Sequence, residues 1–163
     1  MFVLLLAFAS ASGAQTTNKI GYVSLDRILR DAAPAVRAQK KIEAEFSKRD
    51  QELQRGAEQL KQQQETLERN AVTMSESERQ RREREFADAT RDFQRKQREF
   101  REDLNQRRNE ELASVLERAN RAVRAIAEQE KYDIVFQEAV YANPRIDITD
   151  KVIKALDDSK PAK

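Results

Sequence analysis

The stretch FSKRDQELQRGAEQL, Phe46 to Leu60, carries large apolar side chains only at Phe46, Leu53 and Leu60, and Leu67 continues the series. A second stretch, FADATRDFQRKQREF, repeats the spacing with Phe86, Phe93 and Phe100. A seven-residue repeat puts these side chains on one face of a helix. Folding the chain back on itself near Thr73 brings the two series together. Leu60 then faces Phe86, Leu53 faces Phe93, Phe46 faces Phe100 and Ile42 faces Leu104, and the residue numbers of every pair add to the same total, as one antiparallel register demands. The reading is an αα-hairpin.

The same register sets Arg49 beside Gln97 and Gly56 beside Thr90, leaving about one apolar layer per heptad. A buried Leu or Phe contributes roughly 1.5 to 3 kcal/mol. Layers roughly 10 Å apart along arms that rise 1.5 Å per residue therefore predict a hairpin able to bend and splay.

Outward from the seam, the hairpin occupies residues 36–111 with its tip near 71–75. The first arm ends near Asn70, and Ser75 with Glu78 forms a capping box that opens the second arm. From Leu112 the composition changes. Leu112, Ala113, Val115, Leu116, Ala119, Ala122, Val123, Ala125 and Ile126 form a broad apolar face that needs a cover from outside the hairpin.

The two chain ends supply that cover. Lys19 to Leu25 reads as one strand. Ser24 is placed to cap a short helix through Leu29, and Pro34 suits the first turn of the long helix, with Asp31 as a nearby anion. Tyr132 to Glu138 and Ala139 to Asn143 read as strands, with a turn at Asn143 and Pro144. A short helix, Asp150 to Leu156, follows with Thr149 as its cap, and residues 159–163 form a polar tail. Residues 15–35 and 112–158 thus make a small α/β body, and the hairpin projects from it. The fold class is mainly α with a small β body. One copy has too few strands to stand alone, and its sheet edges are open. Self-association is the economical remedy, through a body surface drawn from Ile20, Tyr22, Val23, Ile134, Val135 and Phe136.

Composition narrows the chemistry. The 163 residues contain 31 Lys and Arg against 29 Asp and Glu, a net charge of +2, and no His or Cys. The mean hydropathy is −0.87 and the pI is 8.9. Without His or Cys the usual nucleophile–base pairs and most zinc-ligand patterns are gone, and Gly13, Gly21 and Gly56 cannot build a phosphate loop. Carboxylates on solvated helices belong to a charge-laced surface. The chain reads as no enzyme and as needing no cofactor or metal. Near-balanced charge argues against nucleic acid as a partner. Arg91, Arg95, Lys96, Arg98 and Arg101 form a local basic excess that could meet an anionic lipid or lipopolysaccharide; the competing reading is a solvated face. The run Phe2 to Ala9, followed by Ser12, Gly13 and Ala14, reads as a cleavable export signal over residues 1–14.

Several segments together carry a resemblance. The Lys19-Ile-Gly-Tyr-Val strand, the charged hairpin, the Arg107-Arg108-Asn109-Glu110-Glu111 run, Tyr132-Asp-Ile-Val-Phe and Asp147-Ile-Thr-Asp150 resemble the Skp (OmpH-like) family of periplasmic chaperones. The resemblance spans the whole chain after the signal. It implies a homotrimer whose strands close a central barrel, with three helical arms enclosing a cavity that holds unfolded outer-membrane β-barrel proteins without ATP. Members of that family are often more basic than this chain, which weakens the case for an electrostatic grip. The arm-seam residues Phe46, Leu53, Leu60, Phe86, Phe93 and Phe100 are then candidates either for client contact or for setting arm stiffness.

Overall fold

The computed structural model describes residues 18–159, so the segment read as an export signal lies outside the described residues. In chain order the elements are strand β1 (Ile20–Tyr22), helix α1 (Leu25–Asp31), helix α2 (Ala33–Asn70), helix α3 (Glu76–Glu130), strand β2 (Ile134–Phe136), a single 3-10 turn (Pro144–Ile146) and helix α4 (Thr149–Asp158). The protein is mainly helical, with a small two-stranded sheet made by its two ends.

The long helices run 38 and 55 residues. Charged and amide residues that favour helix fill both, and opposite charges three or four apart, such as Arg82 with Glu78, support them locally. Ala32 breaks the chain between α1 and α2 with an extended backbone, and Pro34 sits in the first turn of α2. Asp31 does not serve that turn. It pairs with Arg30, and the free amide of Ala33 donates instead to Asp157 of α4 at 2.7 Å. At the tip, Ser75 caps α3 by accepting from the Glu78 amide at 3.3 Å. The reciprocal half of the capping box is not made, because the Glu78 carboxylate turns to Arg82.

α3 closes with Lys131 in the left-handed region, φ 56° and ψ 50°. The Lys131 amide donates to Glu128 and the Tyr132 amide to Ala127. These two bonds satisfy orphan carbonyls at a position where glycine is usual. The reversal aims the chain back along β1.

β1 and β2 pair in parallel, with Ile20 opposite Ile134, Gly21 opposite Val135 and Tyr22 opposite Phe136. A parallel pair needs a crossover, and here the whole hairpin is that crossover. Tyr22 also bridges to Asp147 on the other side of β1. Strand character stops there. The segment read as a second strand, Ala139 to Asn143, is irregular and finds no strand partner among the described residues; Val140 and Tyr141 stand in solvent. A short run of apolar and aromatic residues favours extended backbone, but a strand also needs a neighbour to bond.

The core joins Val23, Ile28, Ala32, Ala119, Ile148, Val152 and Leu156. The main cover of this end of α3 is therefore α4, with β2 adding less, and α1 packs on α4 and α2 behind it. Only part of the apolar face of α3 is covered: Val115 and Ala119 are buried, whereas Leu112 and Ala113 are exposed. Thr149 lies within helix α4 and does not cap it from outside. It is fully buried, its hydroxyl accepts from the Ser24 amide at 2.8 Å, and its amide and hydroxyl donate to Asp147. One side chain thus ties β1, α1 and α4 together.

Candidate functional site

Two surfaces stand out, the seam between the arms and the sheet at their root. In the seam, Phe46 is 6% exposed and meets Phe100 edge to face, with ring centroids 5.6 Å apart. Arg49 lies over both rings, 5.7 Å from each centroid. An aromatic pair of this kind contributes about 0.5 to 1.5 kcal/mol beyond its buried area. This layer is the tight point of the arm, and Phe46 has no free face for a client.

Ion pairs flank it. Lys41 meets Glu111 at 2.8 Å, Glu45 meets Arg107 at 3.3 Å, and Arg49 meets Asp103 at 2.7 Å. Each step of four residues along α2 is matched by four residues back along α3, and the sign alternates. Helical side chains lean toward their own N-terminus. On α2 that direction is the body and on α3 it is the tip, so partners lie about six residues out of level. This is why Arg49 reaches past Gln97 to Asp103. Arg107 also binds Glu110 and Glu111. The hydrogen bond from Lys41 first, and then Arg107, hold the Glu111 carboxyl below its usual range. Gln106 and Arg107 do the same for Glu110.

Toward the tip the seam opens. Leu53, Leu60, Phe93 and Phe100, all half-buried, line a cleft of about 470 Å³ with Gly56 between them. A β-carbon on Gly56 would stand 3.2 Å from the Phe93 ring, so Gly56 sits against Phe93, one turn along from Thr90. A second cleft of about 510 Å³ lies nearer the tip, lined by Gln59, Gln63, Thr66, Leu67, Arg82 and Phe86 among others. Past Arg49 no ion pair crosses between the arms among the described residues. Of the basic residues, Arg91 is held by Asp88, and Arg95 by Asp92 and Glu99. Lys96 borders the first cleft, and Arg98 and Arg101 are exposed.

At the root, strand alternation divides the body residues. Val23 is buried in the core, and Val135 packs against it. Gly21 lets Tyr132 and Val135 close over β1, because a β-carbon there would meet the Tyr132 ring at 3.2 Å. Ile20, Ile134 and Phe136 point the other way and remain 40, 46 and 47% exposed, with half-buried Tyr22 beside them. The sheet has two strands only, so the outer edge of β2 is unpaired among the described residues.

Sequence reasoning missed three features that build this root. In the sequence Thr149 reads only as a cap. Lys19 reads only as a strand end, yet its ammonium binds the Glu130 carbonyl at 2.7 Å and lies 4.1 Å over the Tyr132 ring. The ion-pair ladder did leave a signal, namely opposite charges in matching four-residue steps on both arms.

Comparison with known proteins covers these surfaces. The family model described as outer membrane protein (OmpH-like) matches residues 19–156, from the start of the strand region into α4. The chaperone protein Skp of Yersinia enterocolitica and that of Photorhabdus luminescens are each 32% identical to this chain over 153 residues, 93% of this chain and 93% of each relative. The solved structure of an OmpH-like protein from Caulobacter crescentus has the same fold, with a TM-score of 0.74 at 18% identity, over 93% of this chain and 90% of that one. With the match running through body and arm alike, the chain belongs to the OmpH-like outer membrane protein family.

Proposed function

We propose that the protein is an ATP-independent holdase chaperone of the periplasm, exported by a cleavable signal, that binds unfolded outer-membrane β-barrel proteins between helical arms. The observation that carries the reading is the body's uncovered apolar sheet face and open β2 edge at the root of a long charged hairpin, in a chain whose relatives are Skp chaperones. An edge of this kind is a template for another copy. Pairing β2 across copies would cover Ile20, Ile134 and Phe136 and close the sheet, and three copies would set three arms around one cavity.

An exported barrel precursor carries alternating apolar side chains and no fold that hides them, so it aggregates unless isolated. Charged arms offer it a polar enclosure. Half-buried Leu53, Leu60, Phe86, Phe93 and Phe100 offer small apolar contacts that are individually weak, and weak contacts permit release without ATP. Lys96, Arg98 and Arg101, rather than the paired Arg91 and Arg95, are the cations available to anionic lipid or lipopolysaccharide.

Light scattering coupled to size exclusion tests the reading, using protein that lacks residues 1–14, alone and after diluting a urea-unfolded outer-membrane barrel protein into it. A trimer that keeps the client soluble in a defined complex is expected. An oligomer that leaves the client to aggregate would point instead to a structural envelope protein, and a monomer would overturn the sheet-closing argument.

A further inference from the structure

The ion-pair ladder lies in the body-proximal part of the arm, from Lys41–Glu111 to Arg49–Asp103, and the two clefts extend from it toward the tip, with Arg49 itself lining the first. We propose that this ladder is an ionic-strength-sensitive lock, with Arg107 as its keystone, that sets how far the two helices stand apart at the arm root.

Two observations support it. Between the close aromatic layer, Phe46 on Phe100, and the buried Ala35 and Val115 nearer the body, the seam holds only half-buried Ile42 and Leu104, so helix separation along that stretch is a soft coordinate on which modest forces act. Two of the three cross-arm pairs are also linked rather than isolated, and Arg49–Asp103 stands beside them as a separate rung. Arg107 is 25% exposed and binds Glu45, Glu110 and Glu111 together, while Glu111, 18% exposed, also binds Lys41. Isolated surface pairs contribute little, and a shared network is the exception. Screening is steep on this length scale, because the Debye length falls from about 30 Å at 0.01 M salt to about 3 Å at 1 M. The lock is tight in dilute medium and slack in concentrated salt. It requires only the ion-pair geometry and is independent of the chaperone reading.

The chain has no cysteine, so spin labels can be placed at will on uncharged exposed sites. One pair, Ser47→Cys with Asn105→Cys, spans the root, and another, Ala57→Cys with Gln94→Cys, spans the arm beside the cleft. Doubly labelled full-length chains diluted into unlabelled protein are measured by double electron–electron resonance at about 0.02 M and about 1 M sodium chloride. The root distance is expected to lengthen with salt by roughly 3 Å, the thickness of one intervening water layer, while the pair beside the cleft stays put. In Arg107→Gln the sign should reverse. Glu45, Glu110 and Glu111 then face one another without their shared cation, the root is already wide at low salt, and added salt narrows it. A root distance indifferent to salt, equal responses from both pairs, or unchanged behaviour in Arg107→Gln would each overturn the lock. Circular dichroism of each variant separates a moved root from a lost fold.

Discussion

Gly56 gives two effects of opposite sign, and the structure decides between them. Replacing it with alanine removes the entropy penalty of a glycine inside a helix, a gain of about 1 kcal/mol. Against that, the new β-carbon would lie 3.2 Å from Phe93 Cδ2 and 3.4 Å from Cε2, close enough that the ring must retreat a few tenths of an ångström. In a sealed core such overpacking costs about 1 to 3 kcal/mol. Phe93, however, is half-buried and borders an open cleft of about 470 Å³, so it has room to give. Gly56→Ala is therefore expected to stabilise the arm by about 0.5 kcal/mol, a factor of about 2 in its local opening equilibrium. Hydrogen exchange of peptides covering residues 50–62 and 88–98 in the full-length protein reads that equilibrium directly. Slower exchange in both peptides is the expected result. Gly56→Val, with branched methyls aimed at the same ring, should do the opposite. Faster exchange in Gly56→Ala would refute the reasoning, since it would mean that Phe93 cannot move and that the cleft is not available space.

Three further outcomes can be checked by thermal and acid melts. Thr149→Val keeps the shape but strands the Ser24 amide and a hydrogen bond to Asp147; a buried group left unpaired costs about 1 to 3 kcal/mol, so the melting temperature should fall. Lys131→Gly should raise it, because a non-glycine residue in the left-handed region carries a penalty of roughly 1 to 2 kcal/mol; a lower melting temperature would show that the contacts of the Lys131 side chain outweigh that strain. For pH, the carboxyls of Glu110 and Glu111 are held below their unfolded value of 4.5 by hydrogen-bond donors, Gln106 and Arg107 for the first, Lys41 and Arg107 for the second. Groups depressed in the folded state stabilise it above pH 4.5 and release that stability as pH falls through their lowered values. Acidification from neutrality should leave the arm unchanged to about pH 5 and then loosen it, and Glu111→Gln should show a shallower acid slope.

The arms were legible because helical periodicity is local: Phe46 and Phe100 could be matched from spacing alone, and Ser75 announces the start of α3. What the residues do not announce is which distant group meets them. The amide at the start of α2 is served by Asp157 from the far end of the chain, not by nearby Asp31. Ala139 to Asn143 has the apolar and aromatic composition of a strand but no neighbour to bond among the described residues. Thr149 has the chemistry of a cap, and only the folded body shows it as a link between β1 and α4. In the seam, the Phe46–Phe100 layer follows residue level, but long charged side chains follow their lean along the helix. Arg49 therefore pairs with Asp103 while its neighbour in level is Gln97. At the root, alternation alone could not say which of the six body residues face inward; the Gly21 notch under Tyr132 settles it.

The parallel pairing of β1 with β2 also fixes an order of events. Lys19 and Asp133, bonded at the strand mouth, are 114 residues apart, and closing a flexible loop of that length costs about 4 kcal/mol. A sheet of three-residue strands cannot supply that from an open chain. A preformed hairpin can, because it delivers both strands to the same place before they pair. The arm is thus the scaffold on which the body nucleates, and a chain synthesised from its N-terminus must hold β1 unpaired until β2 has emerged. Changes that soften the arm should slow folding more than they weaken the finished body, a kinetic cost invisible in any contact the strands make.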